Sequence, residues 1–185
     1  MSWQIDPIHS EIEFAVRHMM ISTVRGRFTE FTGTVDLDEA APTHSSVEVQ
    51  IAAASIDTRD PRRDGHLASP DFFNAEQYPY LTFKSKRVEQ TDANHGRILG
   101  DLTIRDVTKE VVLEVEYAGQ ARSPWGTTSA GFSAHTTISR KDWGLTWNQS
   151  LETGGVLVGD EIKISIEIEV VKQADQVESA EAVAA

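Results

Sequence analysis

Residues 160–171 read "DEIKISIEIEVV". Ile162, Ile164, Ile166, Ile168 and Val170 fall on one side of an extended chain, and Lys163, Ser165, Glu167 and Glu169 fall on the other. A period of two marks a β-strand with one wet face and one dry face. The dry face must look either at a filled core or at a space that another molecule fills.

The same alternation recurs seven more times. "EIEFAVRH" sets Ile12, Phe14, Val16 and His18 against Glu11, Glu13, Ala15 and Arg17, and "TGTVDLD" sets Gly33, Val35 and Leu37 against their polar neighbours. "SVEVQIAA", "YLTFKSKR", "RILGDLTIR", "EVVLEVEY" and "AGFSAHTTISR" repeat the pattern, with turn-like stretches such as "EAAPTHS", "TDANHG" and "RSPWGT" between segments. Eight amphipathic strands predict an all-β fold, an antiparallel barrel or sandwich. A helix period is nearly absent. The best place for a helical turn is the long connection over residues 59–79, and a second irregular stretch joins the last two strands. Connections of this length in compact domains are usually functional or mobile.

The chain has 185 residues, enough for one sizeable domain, and its Asp plus Glu exceed Lys plus Arg by 29 to 17, a formal net charge of −12. That charge disfavours phosphate backbones, so nucleic-acid binding is not expected. With no cysteine there are no disulfides, no thiol chemistry and no Cys-ligated metal. The first residues show no basic segment followed by an apolar one, and no apolar run approaches the roughly 20 residues of a membrane span. These features predict a soluble, cytoplasmic chain, with one barrel over residues 1–172 and a disordered acidic tail over 173–185.

Several inward positions are small or weakly polar: Gly33, Ala53, Ser85, Gly100, Ala130, Ala134 and Thr136. An eight-stranded barrel is just wide enough to be plugged by its own side chains or to hold one small ligand. Small residues argue modestly for the ligand, while a barrel whose small residues fit a taper would show the same pattern. From pattern alone both outcomes stay open.

Four motifs in order and spacing narrow the choice: "DPIHSEIEFAVRHMMISTVRGRFTEFTGTVDLD", "SIDTRDPRRDGHLASPDFFNAEQYPYLTFKS", "GDLTIRDVTKEV" and "ISRKDWGLTWNQ". Together they resemble the YceI-like family of polyisoprenoid-binding, lipocalin-like bacterial proteins, from about Trp3 to Val171. The likeness is to the short members without a signal segment more than to the periplasmic ones. One departure is Asp106, where the family's turn usually has Gly before Val-Thr; Asp in a left-handed turn predicts a slightly altered turn. The resemblance implies an extended eight-stranded antiparallel barrel, lipocalin-like, with a short helical segment in the long loop. It further implies an apolar pore holding a polyisoprenoid with its head towards the mouth, and a homodimer.

On that reading the pore-lining candidates are Phe14, Val16, His18, Phe28, Phe83, Leu102, Leu113, Phe132, Ile138, Trp143, Trp147, Ile164 and Ile166. Each could instead plug a barrel end or pack in the core, and for His18 a hydrogen-bonded core position is the preferred reading. Phe72, Phe73 and Tyr78 could close one end or anchor a short helix, the second being preferred. Arg63 could sit near an anionic head group, but an Arg63–Asp64 pair pinning the loop is the simpler account. The six histidines show no zinc-ligand spacing, so no metal or other cofactor is expected, and no nucleophile elbow or phosphate loop occurs. A non-enzymatic carrier of a polyisoprenoid or similar long-chain, quinone-like lipid is therefore expected; the alternative is an isomerase or hydrolase acting on such a lipid in the same pore.

Overall fold

The computed structural model describes residues 1–173, so the tail expected over 173–185 lies outside the described residues except for Gln173. One sheet runs through β1 (Ser2–Ile5), β2 (Glu11–His18), β3 (Ser22–Phe28), β4 (Phe31–Asp36), β5 (Ser46–Ala52), β6 (Ile56–Asp57), β7 (Tyr80–Gln90), β8 (His95–Ile104), β9 (Val107–Arg122), β10 (Thr128–Ser139) and β11 (Glu161–Lys172). Every pairing is antiparallel, and β1 returns to β11, which closes the sheet into a barrel.

The eleven segments make eight staves. β1 pairs with β4 while β2 pairs with β3, so β1–β2 and β3–β4 are the legs of one long bent hairpin. β4 pairs with β5 and β3 with β6, so β5–β6 is likewise one interrupted stave. Each later stave follows its predecessor in sequence, giving a closed meander. The strand Ser22–Phe28 is absent from the sequence-based expectation, because "MMI" hides the turn and Gly26 with two arginines blurs the alternation.

The first interruption has a chemical cause. Pro7 cannot donate to a ladder, and the Asp6 carboxylate accepts from the Ile8 N–H at 2.9 Å and bonds the His9 ring at 2.7 Å. Ser10 then accepts from the Glu169 N–H at 3.0 Å and donates to the Glu169 carbonyl at 3.3 Å, restoring with its side chain what the ladder loses. "DPIHS" is thus a structural clasp between β1–β2 and β11.

Two hairpins place bulky residues in left-handed backbone. Met19 and Met20 have φ of 51° and 63°, and the Ile21 N–H donates to the His18 carbonyl at 3.1 Å. This mirror-image turn matches strand twist but favours Asn-Gly, and left-handed backbone costs other residues roughly 1–2 kcal/mol each. In the β8–β9 turn the left-handed residue is Arg105, with φ 54°, and not Asp106 as expected. Arg105 compensates by donating to the carbonyls of Phe72 and Gly144 at 3.1 and 3.3 Å, tying two connections together.

The helix lies within the connection where it was expected. α1 (Pro61–Ala68) starts with Pro at its first turn, and the Asp60 carboxylate caps the N–H groups of Arg62 and Arg63. The fold core runs from Trp3, Ile5 and Val170 through Phe31, Ile51, Leu81 and Val111 to Phe72, Trp143 and Leu145 under the helical end.

Candidate functional site: the inner face of the barrel

The dry face of β11 is not uniformly buried. Val170 is 0% exposed, whereas Ile162, Ile164, Ile166 and Ile168 on the same face stay half-buried. The neighbouring β10 repeats this: Ala130 is sealed, while Phe132, Ala134, Thr136 and Ile138 are not. Leu113, Val115 and Tyr117 of β9 continue the half-buried surface on one side, and Phe14 and Val16 of β2 with Val24 of β3 continue it on the other. A close-packed interior seals such residues almost completely. The barrel interior therefore combines a sealed core around Trp3, Phe31, Ile51, Leu81 and Phe72 with a strip of partly accessible apolar side chains along β9, β10, β11 and β2; Val35, Val47 and Val49 of β4 and β5 are half-buried as well.

The register brings the candidates together. Ile164 stands opposite Phe14 on β2 and Thr136 on β10, and Ile166 stands opposite Ile12 and Ala134. Phe14 and Phe28 have ring centroids 5.8 Å apart, and Tyr117 lies 5.3 Å from Phe132. Of the thirteen lining candidates, Phe14, Val16, His18, Leu102, Leu113, Phe132, Ile138, Trp147, Ile164 and Ile166 are half-buried, whereas Phe28, Phe83 and Trp143 belong to the sealed core. Trp143 is held there by its indole N–H, which donates to the Leu102 carbonyl at 2.9 Å. Trp147 packs edge-on against His66 with centroids 4.6 Å apart, beside Phe72. Phe73 meets the edge of Phe28, so the paired aromatics anchor the helical connection.

The small inward positions divide differently from the expectation. A Cβ on Gly33 would lie 2.5 Å from Ile5, and one on Gly100 would lie 2.5 Å from the Phe83 ring and 2.6 Å from the Lys84 carbonyl. Ala53 and Ala130 are sealed, and Ser85 accepts from the Val47 N–H. These five make room for protein neighbours; only Ala134 and Thr136 border the strip. The partly accessible surface is made by large side chains, several of which also pack against the sealed core.

Arg63 spends two donors on Thr58, its Nε on the hydroxyl and a terminal nitrogen on the carbonyl, both at 2.8 Å. Asp64 accepts from the N–H and hydroxyl of the same Thr58. The two charged residues meet on Thr58 and brace the connection. A second arginine, not singled out by sequence reasoning, organises the β10–β11 connection. Buried Arg140 donates to the carbonyls of Leu145, Trp147, Val158 and Gly159, with Asp160 at 3.6 Å. Burial pulls its pKa down while Asp160 opposes that shift. Nothing in "SRKD" marks this role beforehand.

Asp6, His9 and Glu169 bring their ligand atoms within 4.8 Å of one another. His9 already bonds Asp6, whose carboxylate raises the imidazole pKa. That pairing accounts for the cluster as part of the clasp. His18 and Tyr117 stand at opposite ends of the strip. His135 is exposed. No helix among the described residues is long and apolar enough to cross a membrane, a statement that does not concern strands.

A closed eight-stave antiparallel barrel with an accessible apolar inner face defines a lipocalin-like β-barrel. The chain belongs to the YceI-like domain family, which matches residues 3–170. It is 37% identical to a UPF0312 protein of Staphylococcus epidermidis over 168 residues, 90% of this chain and 95% of that one. A UPF0312 protein of Staphylococcus aureus is 34% identical over 169 residues, 91% and 96% of the two chains. Among solved structures, the Campylobacter jejuni YCEI protein superposes with a TM-score of 0.73 at 35% identity, covering 85% of this chain and 90% of that one. BcnA of Burkholderia cenocepacia gives 0.79 at 24% identity, covering 89% and 98%. A polyisoprenoid binding domain from Saccharophagus degradans gives 0.64 at 12% identity, covering 91% and 97%, a likeness of fold.

Proposed function

We propose that this chain binds a polyisoprenoid or similar long-chain lipid, quinone-like molecules included, along the inner strip, and serves its transport, storage or sequestration. The observation that carries the reading is the run of half-buried Ile162, Ile164, Ile166 and Ile168 on the inner face of a closed barrel, on the same strand as the fully sealed Val170. Membership of the YceI-like family and the shared fold with a polyisoprenoid binding domain support the same ligand class. Each methylene taken from water contributes about 0.8 kcal/mol, and ordering the chain offsets part of the sum. A binding role is favoured over an enzymatic one, since no nucleophile–base pair flanks the strip among the described residues. Cytoplasmic residence and a homodimer complete the proposal; cell fractionation and sedimentation equilibrium test them.

The deciding experiment is native mass spectrometry of the purified chain, followed by organic extraction of whatever is bound. A prenyl lipid in stoichiometric amount supports the reading. A chain that carries no lipid and takes up no added polyprenol overturns it.

A further inference from the structure

The β2–β3 hairpin ends in three long apolar residues that stand in solvent: Met19, Met20 (59% exposed) and Ile21 (78% exposed). Val156 is exposed in the adjoining loop, which the tip touches twice. The Met19 N–H donates to the Leu157 carbonyl at 2.8 Å, and the Met20 thioether lies directly over Gly155, in space that a side chain there would occupy. The tip is thus braced, and its apolar side chains point away from any core.

Its backbone makes those residue types conspicuous. Both methionines occupy left-handed positions where Asn and Gly are the natural choice, so this turn holds bulky apolar groups against its own conformational preference. The charge pattern behind the tip changes sign. Away from it the outer face of β2 and β11 carries Glu11, Glu13 and Glu167; next to it stand Arg17, which donates to the Met20 carbonyl, Arg25 and Lys163, against exposed Glu161 and Glu152, with Asp160 paired to Lys141. Ala15 pairs with Arg25 on one side and Lys163 on the other, so these two cations lie in one row across three strands. Neither has a carboxylate within ion-pair distance among the described residues. In a chain of net charge −12, this end is the exception: the three cations outnumber Glu152 and Glu161 behind an apolar finger, where Val16 and Ile162 border the strip. Apolar groups ahead of a cationic belt match the interface of an anionic bilayer, where carbon enters the acyl boundary and ammonium or guanidinium groups meet phosphate.

We propose that the Met19–Met20–Ile21 tip docks on anionic membranes, with Arg17, Arg25 and Lys163 against lipid phosphates, so that a lipid can pass between bilayer and strip without crossing water. The purpose rests on the lipid-binding reading; the docking does not.

The test uses the full chain and vesicles of phosphatidylcholine with or without phosphatidylglycerol, scored by co-sedimentation at low and high salt. The wild type should sediment with the phosphatidylglycerol vesicles and be released by salt. Met19→Asn with Met20→Gly suits the turn better, so the variant should melt higher while its vesicle partition falls roughly tenfold or more. Arg25→Glu with Lys163→Glu should abolish the preference for anionic vesicles. Trp125→Ser, which removes an 83% exposed indole from the distant β9–β10 turn, should change nothing. The inference is overturned if the wild type ignores anionic vesicles, if the Asn-Gly tip binds them as well as Met-Met, or if that variant only converts a dimer to a monomer. Extracted lipid is read separately: a loaded chain that ignores vesicles sinks the docking alone, and an empty chain that binds them sinks the carrier reading alone.

Discussion

Replacing Ile164 with Asp asks whether the strip is open, and Val170→Asp on the same face of the same strand supplies the contrast. Val170 is completely sealed beside Ala130, while Ile164 is half-buried between Phe14 and Thr136. A carboxyl in packed apolar surroundings has its pKa raised by as much as 3–5 units, so at pH 7 keeping it protonated costs about 4 kcal/mol, on top of the lost valine packing. That rivals the roughly 5–15 kcal/mol that hold a domain together. The penalty follows the raised folded pKa: it is absent when both states are protonated, grows as pH rises above about 3.9, and levels off only above the folded value. Val170→Asp should therefore be unfolded at pH 7 and partly rescued near pH 4. At Ile164 water reaches the new carboxylate, and the loss is a fraction of the ~1.5–3 kcal/mol for burying an isoleucine. This variant should fold and, on the proposed carrier function, retain less lipid than the wild type. Urea melts with extraction of bound lipid measure both quantities, and equal destabilisation of the two variants would refute an accessible strip.

Arg140→Met leaves several loop carbonyls without their donor and should cost about 3–5 kcal/mol, with amide exchange rising first across residues 144–159; unchanged exchange there would show that the arginine does not organise the β10–β11 connection. Gly100→Ala drives a methyl against the Lys84 carbonyl and Phe83 ring and should lose about 1–3 kcal/mol, whereas Gly65→Ala in α1 meets nothing within 4 Å and should gain up to about 1 kcal/mol. Similar urea midpoints for the two would contradict the packing described. The Asp92 carboxylate bonded to the His95 ring raises that imidazole above its usual range, so its stabilisation is complete at low pH and fades as pH rises through the raised value. Asp92→Asn should return the His95 titration, followed by NMR, to the ordinary range; an unmoved titration would show another cause.

Alternation made the staves legible because a half-accessible wall imposes period two on every strand that joins it. The helix site was legible too, within the long connection over residues 59–79, although its Asp60 cap and Pro61 start were not singled out. The division of the inner face was not. Ile164 and Val170 look alike in sequence, and only the side chains across the barrel decide which one is sealed. Gly33 and Gly100 suggested empty space, yet Ile5 and the Phe83 ring fill it. Trp143 and Trp147 sit four residues apart in one motif and divide between the sealed core and its half-buried margin. Arg140 escaped notice because its partners are backbone carbonyls, which carry no residue signature.

The seam joining β1 and β2 to β11 has a consequence for how the chain is made. Trp3 meets Lys172 and Ile12 meets Ile166, so the first stave completes its pairing only with the last one. On the ribosome, the N-terminal hairpin must wait for nearly the whole polypeptide before its free edge is covered, and contacts of such separation form late. Until then the inner face is an open trough with two unpaired edges. A hydrophobic cargo met at that stage needs no portal, and the nascent chain can close around it.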